Sequence, residues 1–314
     1  MEQENNTEES GKVIEIASDG DVVLVVGPKE ARLRVSSQSM IGASKPFSAM
    51  FSPEWKEGRN LLSQDEPVDV HLPEDDPEAL KLICAVIHHR NQAVLRNLSP
   101  VKVFRVAVAA DKYDCVGVLK FASETWLWLR EMNAQDMAFL TTAAYILRNA
   151  EAFKELTKAL VLSYDGPYIA LCCEEMEIAM PWRVFCLLEG QRSLARLKLA
   201  EIMQSRINAG GCCHRCVLDS KYAYAYLRLL QDNGFRPTEL VNISKAITSV
   251  ELLQDPVPDK RSTECTFGYK HKPPRYRKDR RWQVGFLESH TGLCLYCVRV
   301  GRSDPCYCWI DHSP

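Results

Sequence analysis

Cysteine and histidine recur in the last third of this 314-residue chain at spacings that suit metal ligation. Cys265 and His271 have five residues between them, Cys294 and Cys297 have two, and 22 residues join the pairs. Tetrahedral zinc takes four sulfur or imidazole ligands, and a closely spaced pair delivers two of them from one turn of chain. Three thiolates, one neutral imidazole and a divalent ion leave one net negative charge. The basic run nearby (Lys270, Lys272, Arg275, Arg277, Lys278, Arg280 and Arg281) compensates it and favours deprotonated thiols. The expected site is a structural zinc held by Cys265, His271, Cys294 and Cys297. Four protein ligands leave no open position for a substrate.

Other groups compete for that role. "GGCCHRC" supplies Cys212, Cys213, His214 and Cys216, and "DPCYCWIDH" supplies Cys306, Cys308 and His312. They can form a second site or exchange with the first. Cys213 and Cys216 with Cys294 and Cys297 make an alternative quartet. A redox use of Cys294 and Cys297 requires the pair at a helix start within a βαβ unit, and no such pattern precedes it. Nothing marks one cysteine off as a nucleophile. The basic run, with Tyr276 and Trp282 beside it, could hold nucleic acid or act as a nuclear localisation stretch. A solvated loop balancing the metal is the preferred reading. Phosphate-loop, dinucleotide, zinc-protease and nucleophile-elbow motifs are absent, so no enzyme is expected. The paired acids Asp75–Asp76 and Glu174–Glu175 read as surface groups.

Composition fits this picture. An apolar fraction of 46%, a charged fraction of 25% and a net charge of −2 are ordinary for a globular protein. The acidic start lacks the apolar segment of a signal peptide, and no apolar run approaches the ~20 residues needed to span a bilayer. A cytoplasmic or nuclear location without membrane contact is therefore expected. In that reducing setting thirteen cysteines do not make a disulfide framework. Cys84, Cys115, Cys172, Cys173 and Cys186 lie in apolar helical patterns and read as small core residues.

The elements that must position these groups are legible from periodicity. "DVVLVV" and "ARLRV" form a hairpin about "GPKE". Residues Met40 to Phe51 form two short helices meeting near Lys45–Pro46. "VDVHL" is a third strand. Asp76 caps a helix with Pro77 at its first position and Leu80, Ile83, Cys84 and Ile87 inward. Ser99 and Pro100 repeat that grammar ahead of Val103, Val106, Ala107 and Ala110. A further helix covers "VGVLKFASETWLWLREM", whose Trp126 and Trp128 pack where the first part of the chain meets the helices that follow. Helices alone follow, among them Tyr222–Gly234, whose Tyr222, Tyr224 and Tyr226 suit helix packing. "DPVPDK" opens an irregular last module.

The stretches "SDGDVVLVVGPKEARLRVSSQSMIGASKPFSAMF" and "VFRVAVAADKYDCVGVLKFASETWL" resemble a BTB/POZ domain. The chain is similar to BTB/POZ proteins of a type common in filamentous fungi, which end near a "GLC-L-x-C" stretch like Gly292–Cys297. Many BTB domains place a histidine after the second hairpin strand, where this chain has Ser36. The resemblance implies an α+β fold and a protein-interaction module. It implies a homodimer formed through N-terminal helices, the Met40–Phe51 region contributing. Family members also recruit a cullin-type ubiquitin ligase scaffold, as substrate adaptors, or transcriptional corepressors. The expected organisation is a disordered acidic tail at 1–17, the BTB/POZ domain at 18–130, a helical region at 131–254 and a Cys/His-rich zinc module at 255–314.

Overall fold

The computed structural model describes residues 12–63, 66–204, 218–233, 242–255 and 276–302. The chain is α+β, with a small sheet and otherwise mostly helices. It divides into two compact units. One comprises Met1–Phe153 with Cys173–Met180, the other Lys154–Cys172 with Pro181–Pro314.

The sheet of the first unit runs β1 (Val13–Glu15), β3 (Ala31–Val35), β2 (Val22–Val26), β4 (Val68–Leu72) in spatial order. β2 and β3 form the expected antiparallel hairpin, while β1 lies parallel to β3 and β4 parallel to β2. β1 falls within the segment assigned to the acidic tail. Its Val13 and Ile14 pair with Arg32 and Leu33, so order begins earlier than the charge of the tail suggests. One sheet face is apolar: Val22, Leu24, Val26, Leu33, Val35, Val68 and Val70 alternate in register and are buried. The other face carries Arg32, Arg34, Asp69 and His71 around Val23 and Val25. Arg32 donates to both carboxylate oxygens of Asp69, at 2.7 and 2.9 Å. The two valines are buried despite the charged surroundings.

Helices cover the apolar face in the order the periodicity gives. α1 (Ser37–Ala43) and α2 (Lys45–Met50) meet at Ser44, whose hydroxyl caps Phe47 N–H. α3 (Lys56–Ser63) precedes β4. α4 (Pro77–Ile87) starts at the Asp76 cap, with Asp76 accepting from Ala79 N–H at 2.9 Å, and lies against α1 and β3. α5 (Pro100–Lys112) packs on α4, and α7 (Ala134–Ile146) packs on α5. Ser99 sits at the cap of α5 without a side-chain bond, so the fixed proline dihedral does the local work there. α9 (Glu174–Ala179) lies on α7.

Two residues depart from their sequence reading. α6 (Lys120–Trp126) stops at Trp126, which is buried and donates its indole N–H to Leu95 O, whereas Trp128 is 75% exposed. Asp75 is buried and paired: Lys112 donates to it at 2.7 Å and the Tyr113 hydroxyl at 2.8 Å. His88, at the end of α4, bonds in two directions. Its Nδ1 lies 2.7 Å from Cys84 O, and its Nε2 accepts the Ser36 backbone N–H at 2.9 Å. Those two bonds tie the end of α4 to the start of α1.

The second unit is helical among the described residues. It takes most of α8 (Ala150–Ser163), a 3₁₀ turn at Tyr168–Leu171, α10 (Arg183–Gln204), α11 (Leu218–Asp232), α12 (Ile243–Leu252), α13 (Tyr276–His290) and α14 (Leu295–Arg299). α10 is its spine and touches the 3₁₀ turn, α12 and α13. The last part of the basic run, read as solvated loop, is the start of α13. Arg280 is 1% exposed. It donates to Leu253 O at 2.7 Å and lies over the Tyr226 ring, which in turn stacks on Tyr276 at 4.7 Å. Tyr226 is thus core, as its helical spacing suggested, while Tyr224 is exposed. No helix among the described residues is long and apolar enough to cross a membrane.

Burial pushes the thiols of Cys84 and Cys115 up to about 12, from an ordinary value of 9.0. The folded unit therefore holds these protons more tightly than the unfolded chain. This contribution to stability is complete below pH 9 and is lost as pH rises toward 12. We expect the urea unfolding midpoint to hold from neutral pH to about 9 and to fall beyond it. In the native protein both thiols should resist iodoacetamide while the exposed Cys186 reacts. Alkylation of Cys84 at the rate of Cys186, read by mass spectrometry, would contradict this.

Candidate functional site

Of the expected zinc quartet, Cys294 and Cys297 lie within the described residues, and Cys265 and His271 lie outside them. Cys212, Cys213, His214, Cys216, Cys306, Cys308 and His312 lie outside as well. Among the described residues no group of three or more His, Cys, Asp or Glu side chains is placed to hold a metal.

The segment that carries the cysteine pair is fixed by backbone geometry. Thr291 closes the end of α13, its hydroxyl donating to Leu287 O at 2.8 Å. Gly292 follows at φ +111°, and a Cβ there would stand 2.6 Å from Lys154 O, so only glycine fits. Leu293 N–H then donates to the buried Thr157 hydroxyl at 2.9 Å, and that hydroxyl donates to Lys154 O at 3.0 Å. α14 is pinned to α8 before it begins.

Cys294 is the N-cap of α14 in extended conformation, and Cys297 stands three residues on, one turn along the same face. Cys297 is buried and Cys294 half-buried. Arg302 donates its backbone N–H to Cys297 O at 3.0 Å, and its guanidinium comes within 3.9 Å of Cys297 Sγ. Arg183 in turn donates to Arg302 O. The pair does stand at a helix start, yet α14 is five residues long and follows a helix, not a strand. A metal binds cysteine as the thiolate.

The same unit holds features that spacing did not single out. Trp282, Phe286 and His290 recur every four residues along α13 and stack in succession, with ring centroids 5.9 and 3.9 Å apart. Opposite them on α10, Gln191 is buried. The period-four aromatic pattern was readable in "WQVGFLESH", but the facing helix lies some ninety positions earlier in the chain. Of the arginines assigned to a nucleic-acid reading, Arg280 is committed to the core and offers no guanidinium to phosphate. Comparison of the chain with models of known families, with curated proteins and with solved structures finds no match.

Replacing Gly292 by alanine forces both a left-handed dihedral and a clash with Lys154 O. We expect a loss of about 2–4 kcal/mol in unfolding free energy, against a change under about 1 kcal/mol for Gly285→Ala, where the added methyl meets open space. Equal melting curves for the two variants would show that the α14 anchor carries no strain.

Proposed function

We propose that this protein is an interaction module of the BTB/POZ kind that pairs with a second copy of itself through its first unit. What supports the reading is the order of elements: hairpin, two short helices, a crossover strand returning parallel to β2, then packed helices. The Met40–Phe51 region, expected to contribute, is divided in its duties. Met40, Phe47 and Phe51 are buried in the unit's own core. Ile41, 40% exposed on α1, faces outward, and beside it a methyl added at Gly42 would meet open space. A surface with an outward isoleucine and no bulk beside it lets a twin helix approach closely, and two-fold pairing is the commonest closed assembly. Light scattering should report a dimer at micromolar concentration. Ile41→Glu should shift it toward monomer at least tenfold in Kd without lowering the melting temperature, because the side chain is not core. A monomer at high concentration would end this reading.

In the second unit, Cys294 and Cys297 would supply two of four ligands to a structural zinc, with Cys265 and His271 completing it. The support is their placement one turn apart on a pinned helix start beside Arg302. Elemental analysis should find about one zinc per chain. Cys294→Ser, at the half-buried position, should release it and lower the melting temperature of the second unit. Full zinc content in that variant would exclude Cys294 as a ligand, and a metal-free wild type would exclude the site.

A further inference from the structure

From Lys270 to Arg281 the sequence holds seven lysines and arginines against one acid, Asp279. The last four of those cations lie on α13, and the structure divides them. Arg280 is core, and Arg277 reaches Gln254 Oε1 at 3.3 Å. Lys278 and Arg281 are exposed, and neither has an ion pair among the described residues. Lys278 also stands in the first turn, where the positive end of the helix dipole disfavours a cation. A charge kept there at a cost to the helix points to an anionic partner. One turn on from Lys278, on the same face, is Trp282, 71% exposed. Phe286, a further turn along, takes one side of the indole at 5.9 Å between centroids and leaves the rest of it open. Next to Arg281 and Trp282, a methyl added at Gly285 would meet open space, so the approach to the ring is clear.

We propose that this face of α13 binds single-stranded nucleic acid. A base stacks on the Trp282 indole, and Lys278 and Arg281 hold the phosphates next to it. An exposed ring flanked by unpaired cations supplies both halves of such a contact, the π surface for the base and the charge for the backbone. A duplex fits poorly, because its bases already stack on one another and offer no face to the indole. An anionic membrane fits poorly for a different reason. An interfacial helix sinks its apolar side into lipid, and on α13 Tyr276 and Val284 of that side are buried in the unit's own core. The acids on the helix set the track of the strand. Asp279 and Glu288 are half-buried, and Glu288 stands toward the far end, so the phosphates follow the first half of α13.

The test uses the full-length chain and fluorescein-labelled oligothymidylate, read by anisotropy across a salt series. Trp282→Ala should weaken binding about tenfold and leave the salt dependence as it was. Lys278→Ala with Arg281→Ala should weaken binding and reduce the slope of log Kd against log salt by about 1.4, about 0.7 for each phosphate released. Both variants should melt no lower than the wild type, since the three side chains are exposed, so that lost binding is not lost fold. Trp282→Phe, which keeps a ring, should bind between Trp282→Ala and the wild type. An abasic strand of the same length carries the phosphates without the bases. Wild type should bind it about as weakly as Trp282→Ala binds oligothymidylate. Equal affinity for the two strands, or unaltered binding by Trp282→Ala, would overturn the proposal, since the basic run would then be holding any polyanion. No binding to oligothymidylate, or a duplex bound as tightly as the single strand, would do the same. So would Trp282-dependent binding to phosphatidylserine vesicles with none to the strand.

Discussion

A charged side chain taken out of water must find its compensation inside the protein, and three such groups decide how the loops of this chain are held. Burial of an unpaired ion costs several kcal/mol, so each fixes the position of whatever compensates it. Asp75 draws Lys112 and Tyr113 to the turn after β4. Tyr113 then stacks on Phe47 at 4.4 Å, and its carbonyl accepts the Ser44 hydroxyl that caps α2. One carboxylate thus links the sheet turn, the end of α5 and the α1–α2 junction. Burial and the hydrogen bond to Asp75 both drive the Tyr113 hydroxyl to stay protonated. In the second unit Arg192 donates to Tyr164 O and Gly166 O, pairs with Glu189 and lies 4.6 Å over the Tyr168 ring. Arg280 does the same for the end of α12. Each guanidinium satisfies carbonyls that a loop would otherwise leave orphaned.

These groups also mark where reading the sequence succeeds and where it stops. Local rules operate over three or four residues, and there they hold: Asp76 caps α4, Pro77 takes its first position, and Leu80, Ile83, Cys84 and Ile87 face inward. Asp75, one residue earlier, has no local sign of its fate. Its partners come from a helix 37 and 38 positions away. Arg280 misleads for a related reason. Hydrophobic periodicity counts arginine as polar, so Tyr276, Arg280 and Val284 do not register as one buried stripe. The run therefore reads as a charged loop instead of a helix. The β1 strand is hidden the same way, three residues at the end of a charged tail whose pairing partner is set by the hairpin.

The candidate site divides along the same line. The spacing of Cys294 and Cys297 was legible because two ligands on one turn is a local requirement. What holds the turn in place was not. Thr157 and Leu293 are 136 positions apart, and the glycine just before Leu293 is explained only by Lys154 O standing against it. Ser36 gives a parallel case: the position looks like a lost histidine when read along the chain, yet a histidine ring does reach it, from His88 at the end of α4.

α13 brings both kinds of constraint onto one element. Tyr276, Arg280 and Val284 recur every four residues and bury one side of it. Trp282, Phe286 and His290 recur at the same interval, offset by two residues and so about 200° around the axis. The inward stripe already supplies the packing that fixes the helix, with the tyrosine pair and the buried guanidinium at its centre. The outward aromatic stripe is not needed for that purpose, and polar residues there would hydrate at no cost to the core. Indole and phenyl rings stand on that side instead, each stacked on the next ring along the helix. Departures from local consistency of this sort concentrate where a surface is shaped to meet something else.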